Sequence, residues 1–245
     1  MKPIVFVGYK SDMGALEEVC DLRGFEIKGM LDGNFIHLTE IEHIPILGSE
    51  NDLTGSLKHL LDECVFFVSS GFAGVRDADD PENSGDLLRI RRIELLESLG
   101  AEFVTLIHPT AVVHKRAQIG AGSYIGVCAC VGSDTIIGRH AFIQHAASVT
   151  HHNVVGKNFL TGPRAIVGGH ATIGDNVYMG THSCIIGGKW KTTITVGNNS
   201  MIHMGVICMI DVPDNTTVGF HGKMFKRYES PPLPDIISTN FSRLK

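Results

Sequence analysis

The sequence predicts a fold in two parts, in which a small α/β domain precedes a left-handed parallel β-helix. The main observation is a spacing of six residues that begins at Ile107 and continues over fourteen positions to Ile185. Thirteen of these positions are aliphatic and only Thr161 is polar. A strict short period of this kind is typical of solenoids, in which each repeat stacks on the next.

The residues around each aliphatic position suit the corners of a triangular coil. Gly follows nine of the fourteen positions, and the residue two places before is usually small, as in Ala129 and Ala147. Three hexapeptides complete one coil, so each aliphatic side chain points inward and stacks on its equivalent one coil away. Gly tolerates the backbone dihedrals that a tight corner requires. We expect the β-helix over residues 107–219, with coils paired about 4.8 Å apart.

The first 106 residues show a different pattern, in which strands alternate with helices. The predicted elements are strands at Ile4–Val7, Phe25–Leu31 and Val65–Ser69, a short helix with Ala15, Leu16, Val19 and Cys20 on its apolar side, and a helix at Leu87–Leu99 with Leu88, Leu95, Leu96 and Leu99 on its inner face. This order is typical of a parallel sheet. We therefore assign residues 1–106 to a Rossmann-like domain and residues 220–245, which are polar and proline-rich, to a C-terminal tail.

Composition excludes several classes of partner. The chain of 245 residues carries a net charge of −5, so it offers no general basic surface to nucleic acid or to an anionic membrane. It contains no apolar run of eighteen residues and no signal peptide, so we expect no membrane insertion. Its six cysteines form no metal-binding spacing, which favours free thiols in a reducing cytoplasm.

The predicted β-helix carries few charges. Only seven charged side chains lie between residues 117 and 210. Flat faces with so little charge favour burial between subunits, and a homotrimer is the usual closed arrangement for a triangular prism. The period breaks once, at residues 187–191, where a loop that contains Trp190 either covers a site or packs on a neighbouring subunit.

A family resemblance rests on three features of the sequence. The α/β pattern includes Pro45-Ile46-Leu47-Gly48, the sequence His108-Pro109-Thr110-Ala111-Val112 follows it, and hexapeptides with a central His come next. This combination resembles the bacterial sugar O- and N-acyltransferases. That family includes sialic acid O-acetyltransferases and acetyltransferases that act on nucleotide-linked 4-amino sugars. The resemblance implies transfer of an acetyl group from acetyl-CoA, with no metal cofactor.

The resemblance assigns the general base to His151. A neutral imidazole that accepts a proton from the attacking sugar group is typically worth about 10²–10⁴-fold in rate. The family usually has an acid at the next position, where this chain has His152. Asp134, His152 and His170 are eighteen residues apart, so they are expected in one column. Our hypothesis is that Asp134 holds His152 and that this pair orients His151; a solvated ladder is the alternative.

The resemblance also places the two substrates. Acetyl-CoA is expected in the groove between prisms, where backbone amides stabilise the thioester oxygen. The candidate coenzyme contacts are Gly169, Gly180, Thr181, Met204 and Gly205. Two family markers are missing, because the second His is replaced by Leu160 and the usual Gly-x-Pro-Ala reads Gly219-Phe220-His221-Gly222.

The N-terminal domain is expected to hold the nucleotide part of the acceptor. Backbone amides at a helix start bind anions, and the carboxyl edge of a parallel sheet is where such folds bind ligands. The candidate substrate contacts are Ser11, Asp12, Met13, Asp32, Gly33, Gly71 and, near the acceptor sugar, Gln144. A plain strand-to-helix turn is the alternative for the loop that contains Ser11.

Three further functions stay open at this point. Transfer to a sugar hydroxyl is the nearest alternative, and N-acetylation is preferred because the N-terminal domain suits a nucleotide. A β-helix carbonic anhydrase would use His140 and His145 as zinc ligands, but the third ligand position holds Val104. The missing family markers are also compatible with a catalytically silent sugar-nucleotide binder.

Overall fold

The computed structural model describes residues 1–10, 13–69, 85–188, 192–219 and 224–226. The N-terminal part is a five-stranded sheet with strand order β3-β4-β2-β1-β5, in which only β3 is antiparallel to its neighbour. Its strands are β1 (Ile4–Val7), β2 (Ile27–Leu31), β3 (Glu40–Ile41), β4 (Ile44–Gly48) and β5 (Val65–Val68). Its helices are α1 (Gly14–Arg23), α2 (Leu60–Glu63), α3 (Gly85–Ser98) and a 3₁₀ helix at Glu50–Thr54.

The prism that follows consists of three parallel sheets, and the arrangement fits a left-handed parallel β-helix. Sheet 1 contains β6 (Leu106–Ile107), β9 (Tyr124–Ile125), β12 (Phe142–Ile143), β15 (Leu160–Thr161), β18 (Tyr178–Met179), β21 (Met201–Ile202), β23 (Thr216–Val218) and the antiparallel β24 (Met224–Lys226). Sheet 2 contains β7 (Val112–Val113), β10 (Cys130–Val131), β13 (Ser148–Val149), β16 (Ile166–Val167), β19 (Cys184–Ile185) and β22 (Ile207–Cys208). Sheet 3 contains β8 (Gln118–Ile119), β11 (Ile136–Ile137), β14 (Val154–Val155), β17 (Ala171–Ile173) and β20 (Ile194–Val196).

Strand pairing follows the eighteen-residue repeat. Val131 pairs with Val149, which pairs with Val167, and all three side chains are buried in the prism core. The single polar residue of the series, Thr161, is also buried, and its hydroxyl accepts a hydrogen bond from the Gln144 backbone N–H at 2.9 Å. That bond satisfies the hydroxyl, which explains why a polar residue is tolerated at an inward position.

The corners differ from the expectation that glycine supplies their dihedrals. Most left-handed backbone conformations at the corners belong to non-glycine residues, among them Asp134, His152, His170 and Asn176, and only Gly122 and Gly205 are glycines with this conformation in the described part of the prism. Asn, Asp and His adopt this conformation more readily than other side chains. The repeated glycines are needed for space instead: a Cβ on Gly138 would lie 2.5 Å from the backbone of the next coil.

Asparagines at one corner form a continuous ladder of amide hydrogen bonds. Asn158 donates to Asn176 at 3.0 Å, Asn176 to Asn199 at 3.1 Å, and Asn199 to Asn215 at 3.2 Å. Asn158 accepts a bond from Arg89 of α3 at 2.8 Å. The ladder therefore links successive coils to the N-terminal part.

The inner face of α3 also differs from the prediction, which placed four leucines there. Leu96 is buried as predicted, but it is joined by Arg89, Arg92 and Ile93, whereas Leu88, Leu95 and Leu99 are only partly buried. Arg89 donates to the backbone oxygens of Val68 and His140, and burial lowers its pKa to about 9. Polar partners on other elements therefore decide which side of this helix faces inward.

Sheet 1 of the prism packs directly on the N-terminal sheet. Leu106, Tyr124, Phe142 and Leu160 point outward from sheet 1 into a core that they share with Phe67 and α1. Sheets 2 and 3 keep exposed apolar side chains, which are Val112, Ile166 and Ile207 on sheet 2 and Ile136 and Val154 on sheet 3. No helix in the described ranges is both long and apolar enough to cross a bilayer.

Candidate active site

The candidate base lies at the corner where the chain passes from sheet 2 to sheet 3. His151 and His152 connect β13 to β14, and both side chains are exposed. Adjacent residues of a strand point to opposite sides, but the left-handed conformation of His152, with φ of 56°, turns the chain here. Both imidazoles therefore reach the same outer edge of the prism.

Three imidazoles form a compact cluster at this corner. The Nδ1 atoms of His151 and His152 are 3.1 Å apart, within hydrogen-bond distance. His170, one coil further along, stacks on the His152 ring with centroids 4.9 Å apart and lies edge-on to the His151 ring at 5.4 Å. Each imidazole is thus positioned by the other two.

A carboxylate and a guanidinium extend the cluster along the corner. Asp134 Oδ2 lies 3.7 Å from His152 Nε2. The Arg116 guanidinium donates two hydrogen bonds of 2.8 Å each to the Asp134 carboxylate, and this contact lowers the Asp134 pKa below its usual value. Asp134, His152 and His170 lie in one column, as their spacing predicts. We did not predict Arg116, although the same spacing of eighteen residues points to it.

Gly169 contacts the candidate base directly. It lies one coil after His151, and a Cβ on Gly169 would be 2.4 Å from His151 Cε1. The φ of Gly169 lies outside the left-handed range, so lack of volume is what this position requires. The structure therefore places this candidate coenzyme contact against the ring of the candidate base.

The other candidate coenzyme contacts lie at a different corner, between sheets 1 and 2. Gly205 donates a backbone bond to Thr181 at 2.9 Å, and Met204 is 58% exposed. A Cβ on Gly180 would lie 2.4 Å from the Met204 backbone nitrogen. Gln144 is at the same corner and is partly buried. Within one chain, sheet 2 separates these residues from His151.

The predicted anion site at the start of α1 is occupied by a carboxylate of the chain itself. The Met13 backbone N–H donates to Glu42 at 3.3 Å, and the Tyr9 hydroxyl donates to Glu42 at 2.8 Å. The Met13 side chain is buried in the core beside α1, so a ligand could reach only its backbone N–H, in competition with Glu42. Ser11, Asp12 and Gly71 lie outside the described residues.

The Asp32 carboxylate, a candidate substrate contact, is engaged by other groups of the protein. Asp32 is 2% exposed; Oδ1 accepts from Arg92 at 2.8 Å and Oδ2 accepts from the Tyr9 backbone at 2.7 Å. Glu50 accepts from Arg92 at 2.6 Å and from the Gly33 backbone at 3.0 Å. A bond from Asp32 to a ligand would compete with these contacts.

The three clustered histidines are also the residues that could hold a metal ion. Within the described ranges, the one group of three possible metal ligands is His151, His152 and His170, whose ligand atoms lie within 4.8 Å of one another. His140, considered above for a carbonic anhydrase, is fully buried; its Nε2 lies 3.1 Å from Glu97, and its ring packs on Phe103 at 4.5 Å. Burial lowers the His140 pKa to about 4, although the Glu97 carboxylate favours protonation.

Comparison with known proteins gives matches among solved structures. A variant of perosamine N-acetyltransferase from Caulobacter crescentus, in complex with CoA and GDP-perosamine, is 20% identical, with a TM-score of 0.75 over 92% of this chain and 97% of that chain. The acetyltransferase domain of PglB from Neisseria gonorrhoeae is 23% identical, with a TM-score of 0.75 over 92% and 100%. The chain has the fold of these acetyltransferases.

A third solved structure matches the chain equally well. WeeI from Acinetobacter baumannii is 21% identical, with a TM-score of 0.75 over 92% of this chain and 100% of that one. No family model and no curated protein matches the sequence. The resemblance deduced from the hexapeptides is therefore confirmed for the fold, over nearly the whole chain.

Proposed function

We propose that this protein transfers an acetyl group from acetyl-CoA to the amino group of a nucleotide-linked amino sugar, with His151 as general base. The observation that carries the proposal is the contact between the Nδ1 atoms of His151 and His152, at 3.1 Å, on an exposed edge of the prism. The fold agrees, since solved structures of the same fold contain CoA with GDP-perosamine, or acetyl coenzyme A.

The contact is compatible with the tautomers that the proposed reaction needs. When His151 donates its Nδ1–H to His152 Nδ1, the Nε2 atom of His151 carries no proton and can accept one. His152 then carries its proton on Nε2, which faces Asp134 Oδ2 at 3.7 Å. Arg116 keeps that carboxylate ionised and in place, so a positive charge that develops on the imidazoles faces a fixed negative charge.

The chemical step follows from this arrangement. The amine nitrogen attacks the thioester carbonyl, and His151 Nε2 takes a proton from the nitrogen as the N–C bond forms. The C–S bond then breaks, and the proton passes to the thiolate of CoA. The products are the N-acetylated sugar and CoA-SH, and His151 returns to its starting tautomer.

The proposed site is completed by a second copy of the chain. The exposed apolar residues of sheets 2 and 3 favour a homotrimer in which these faces meet. The corner with Thr181, Met204 and Gly205 on one prism would then face the corner with His151 and Gly169 on the next. Acetyl-CoA would lie in the groove between them.

The remaining parts of the proposal concern the acceptor and the compartment. The nucleotide would bind at the carboxyl edge of the N-terminal sheet, near Met13 and Gly33, where it would replace Glu42 and Glu50 as acceptor of the backbone N–H bonds; the Asp32 carboxylate already binds Arg92. All six cysteines are free, which agrees with a reducing compartment, and we propose the cytoplasm.

The test is an assay of acetyl transfer from acetyl-CoA onto a panel of nucleotide-linked amino sugars, in which the released CoA thiol is measured. His151→Ala should lower kcat by about 10²–10⁴-fold with coenzyme binding retained. His59→Ala, which removes an exposed His of the N-terminal part, is the control and should keep full turnover. Equal turnover in His151→Ala and wild type would refute the assignment of the base.

A further inference from the structure

We propose that His151, His152 and His170 form a binding site for one divalent transition-metal ion per chain, such as Zn²⁺. The ligand atoms of the three imidazoles all lie within 4.8 Å of one another, and the cluster is open to solvent at His151 and His152. The binding itself does not depend on the proposed acetyl transfer; its effect on turnover does.

The spacing of the nitrogens suits a tetrahedral ion. Zinc binds imidazole nitrogen at about 2.0–2.1 Å, so two tetrahedral ligands lie roughly 3.4 Å apart. The Nδ1 atoms of His151 and His152 are already 3.1 Å apart. His170 completes the set by a shift of about 1 Å or a little more, which a partly buried ring reaches by rotation about its side-chain bonds.

The backbone under the site is rigid. His151 and His152 follow β13, and His170 lies between β16 and β17 on the next coil. The backbone N–H of His170 donates to the His151 oxygen at 3.2 Å, which ties the two corners together. A metal ion would therefore meet ligands that are largely pre-organised, as a tight site requires.

The donor set selects the kind of metal. Three neutral imidazoles without a carboxylate suit Zn²⁺, Cu²⁺, Ni²⁺ or Co²⁺ and disfavour Mg²⁺ and Ca²⁺, which prefer oxygen. The Asp134 carboxylate faces the outer nitrogen of His152 at 3.7 Å. A carboxylate behind a ligating imidazole fixes its tautomer and raises its basicity.

The metal and the base compete for the same ring. A metal bound at His151 Nδ1 forces the remaining ring proton onto Nε2, the atom that accepts the substrate proton in the proposed reaction. Metal-bound protein would therefore be inactive in acetyl transfer, and removal of the metal by a chelator would restore turnover. Metal binding at this site would therefore inhibit acetyl transfer by occupying the His151 imidazole.

The experiment is a Zn²⁺ titration of the metal-stripped full-length protein against a chromophoric chelator. We expect one ion per chain, and a loss of affinity of at least about tenfold in His170→Asn and in His152→Asn, since even outer-shell changes cost 10–100-fold. Asn keeps the left-handed backbone that both positions require, so these variants should fold. His182→Asn is the matched control, because His182 is exposed, has a φ of 55° and lies at another corner.

The outcomes separate the two proposals. Equal Zn²⁺ affinity in wild type, His170→Asn and His152→Asn, or an equal loss in His182→Asn, overturns the metal site. Zinc binding with the expected variant pattern, together with no acetyl transfer to any amino sugar by the metal-stripped protein, supports the site and refutes the proposed function. Transfer that is lost in His151→Ala but indifferent to bound Zn²⁺ overturns the inhibitory role.

Discussion

The substitution Gly169→Ala tests how closely the candidate base is positioned. The new Cβ would lie 2.4 Å from His151 Cε1, whereas carbon atoms in contact are about 3.5 Å apart or more. The imidazole must therefore move by roughly 1 Å. A misplacement of that size in a reacting group costs about 10²-fold in rate.

The backbone should tolerate the same change. The φ of Gly169 lies outside the left-handed range, and the nearest atoms belong to an exposed side chain that can turn away. We expect the free energy of unfolding to change by less than about 1 kcal/mol. Gly138→Ala is the contrast, because its Cβ would meet the backbone of Gly156 at 2.5 Å, and it should lose stability.

The assay compares kcat and urea unfolding for Gly169→Ala, His151→Ala and the double variant. The double variant should be no slower than His151→Ala alone, because both changes disable the same ring. A Gly169→Ala protein with wild-type kcat would refute the positioning of the base. Additive losses in the double variant would show that Gly169 acts through another contact.

Three further outcomes are expected from urea unfolding. Arg92→Met leaves the carboxylates of Asp32 and Glu50 buried without their partner and should cost about 3–5 kcal/mol; a cost below 1 kcal/mol would contradict this. Asn176→Ala removes two ladder bonds at a left-handed position and should cost about 2–3 kcal/mol, whereas an unchanged midpoint would show that the ladder is dispensable. His140 stays neutral in the fold down to a pKa of about 4, but titrates near 6.5 when unfolded. Stability should therefore fall between pH 6.5 and 4, by on the order of 3 kcal/mol, and an equally steep fall in His140→Asn would assign the effect to other groups.

The repeat determined how much of the prism could be predicted. Each coil repeats the same local pattern, so inward positions follow from the sequence alone, and the spacing of eighteen residues brings Asp134, His152 and His170 together. The same rule applied to Arg116 would have found the guanidinium that binds Asp134. That position was missed because charged side chains on a prism are usually assigned to solvent.

Long-range polar contacts limited the prediction elsewhere. The inner face of α3 depends on Arg92, whose partners Asp32 and Glu50 lie 60 and 42 residues away in the sequence. Apolar periodicity favours leucines for that face. The two carboxylates that allow an arginine to be buried come close to it only in the folded protein. The internal partners of Asp32, which are Arg92 and the Tyr9 backbone, could not be read from the sequence for the same reason.

The shared core between sheet 1 and the N-terminal sheet means that the chain cannot be divided where its topology changes. A cut before Leu106 would leave Tyr124 and Phe142 uncovered on one fragment and Phe67 on the other, and would separate the Arg89 guanidinium from the Asn158 and His140 oxygens. Neither fragment would then be a useful unit for expression or for grafting.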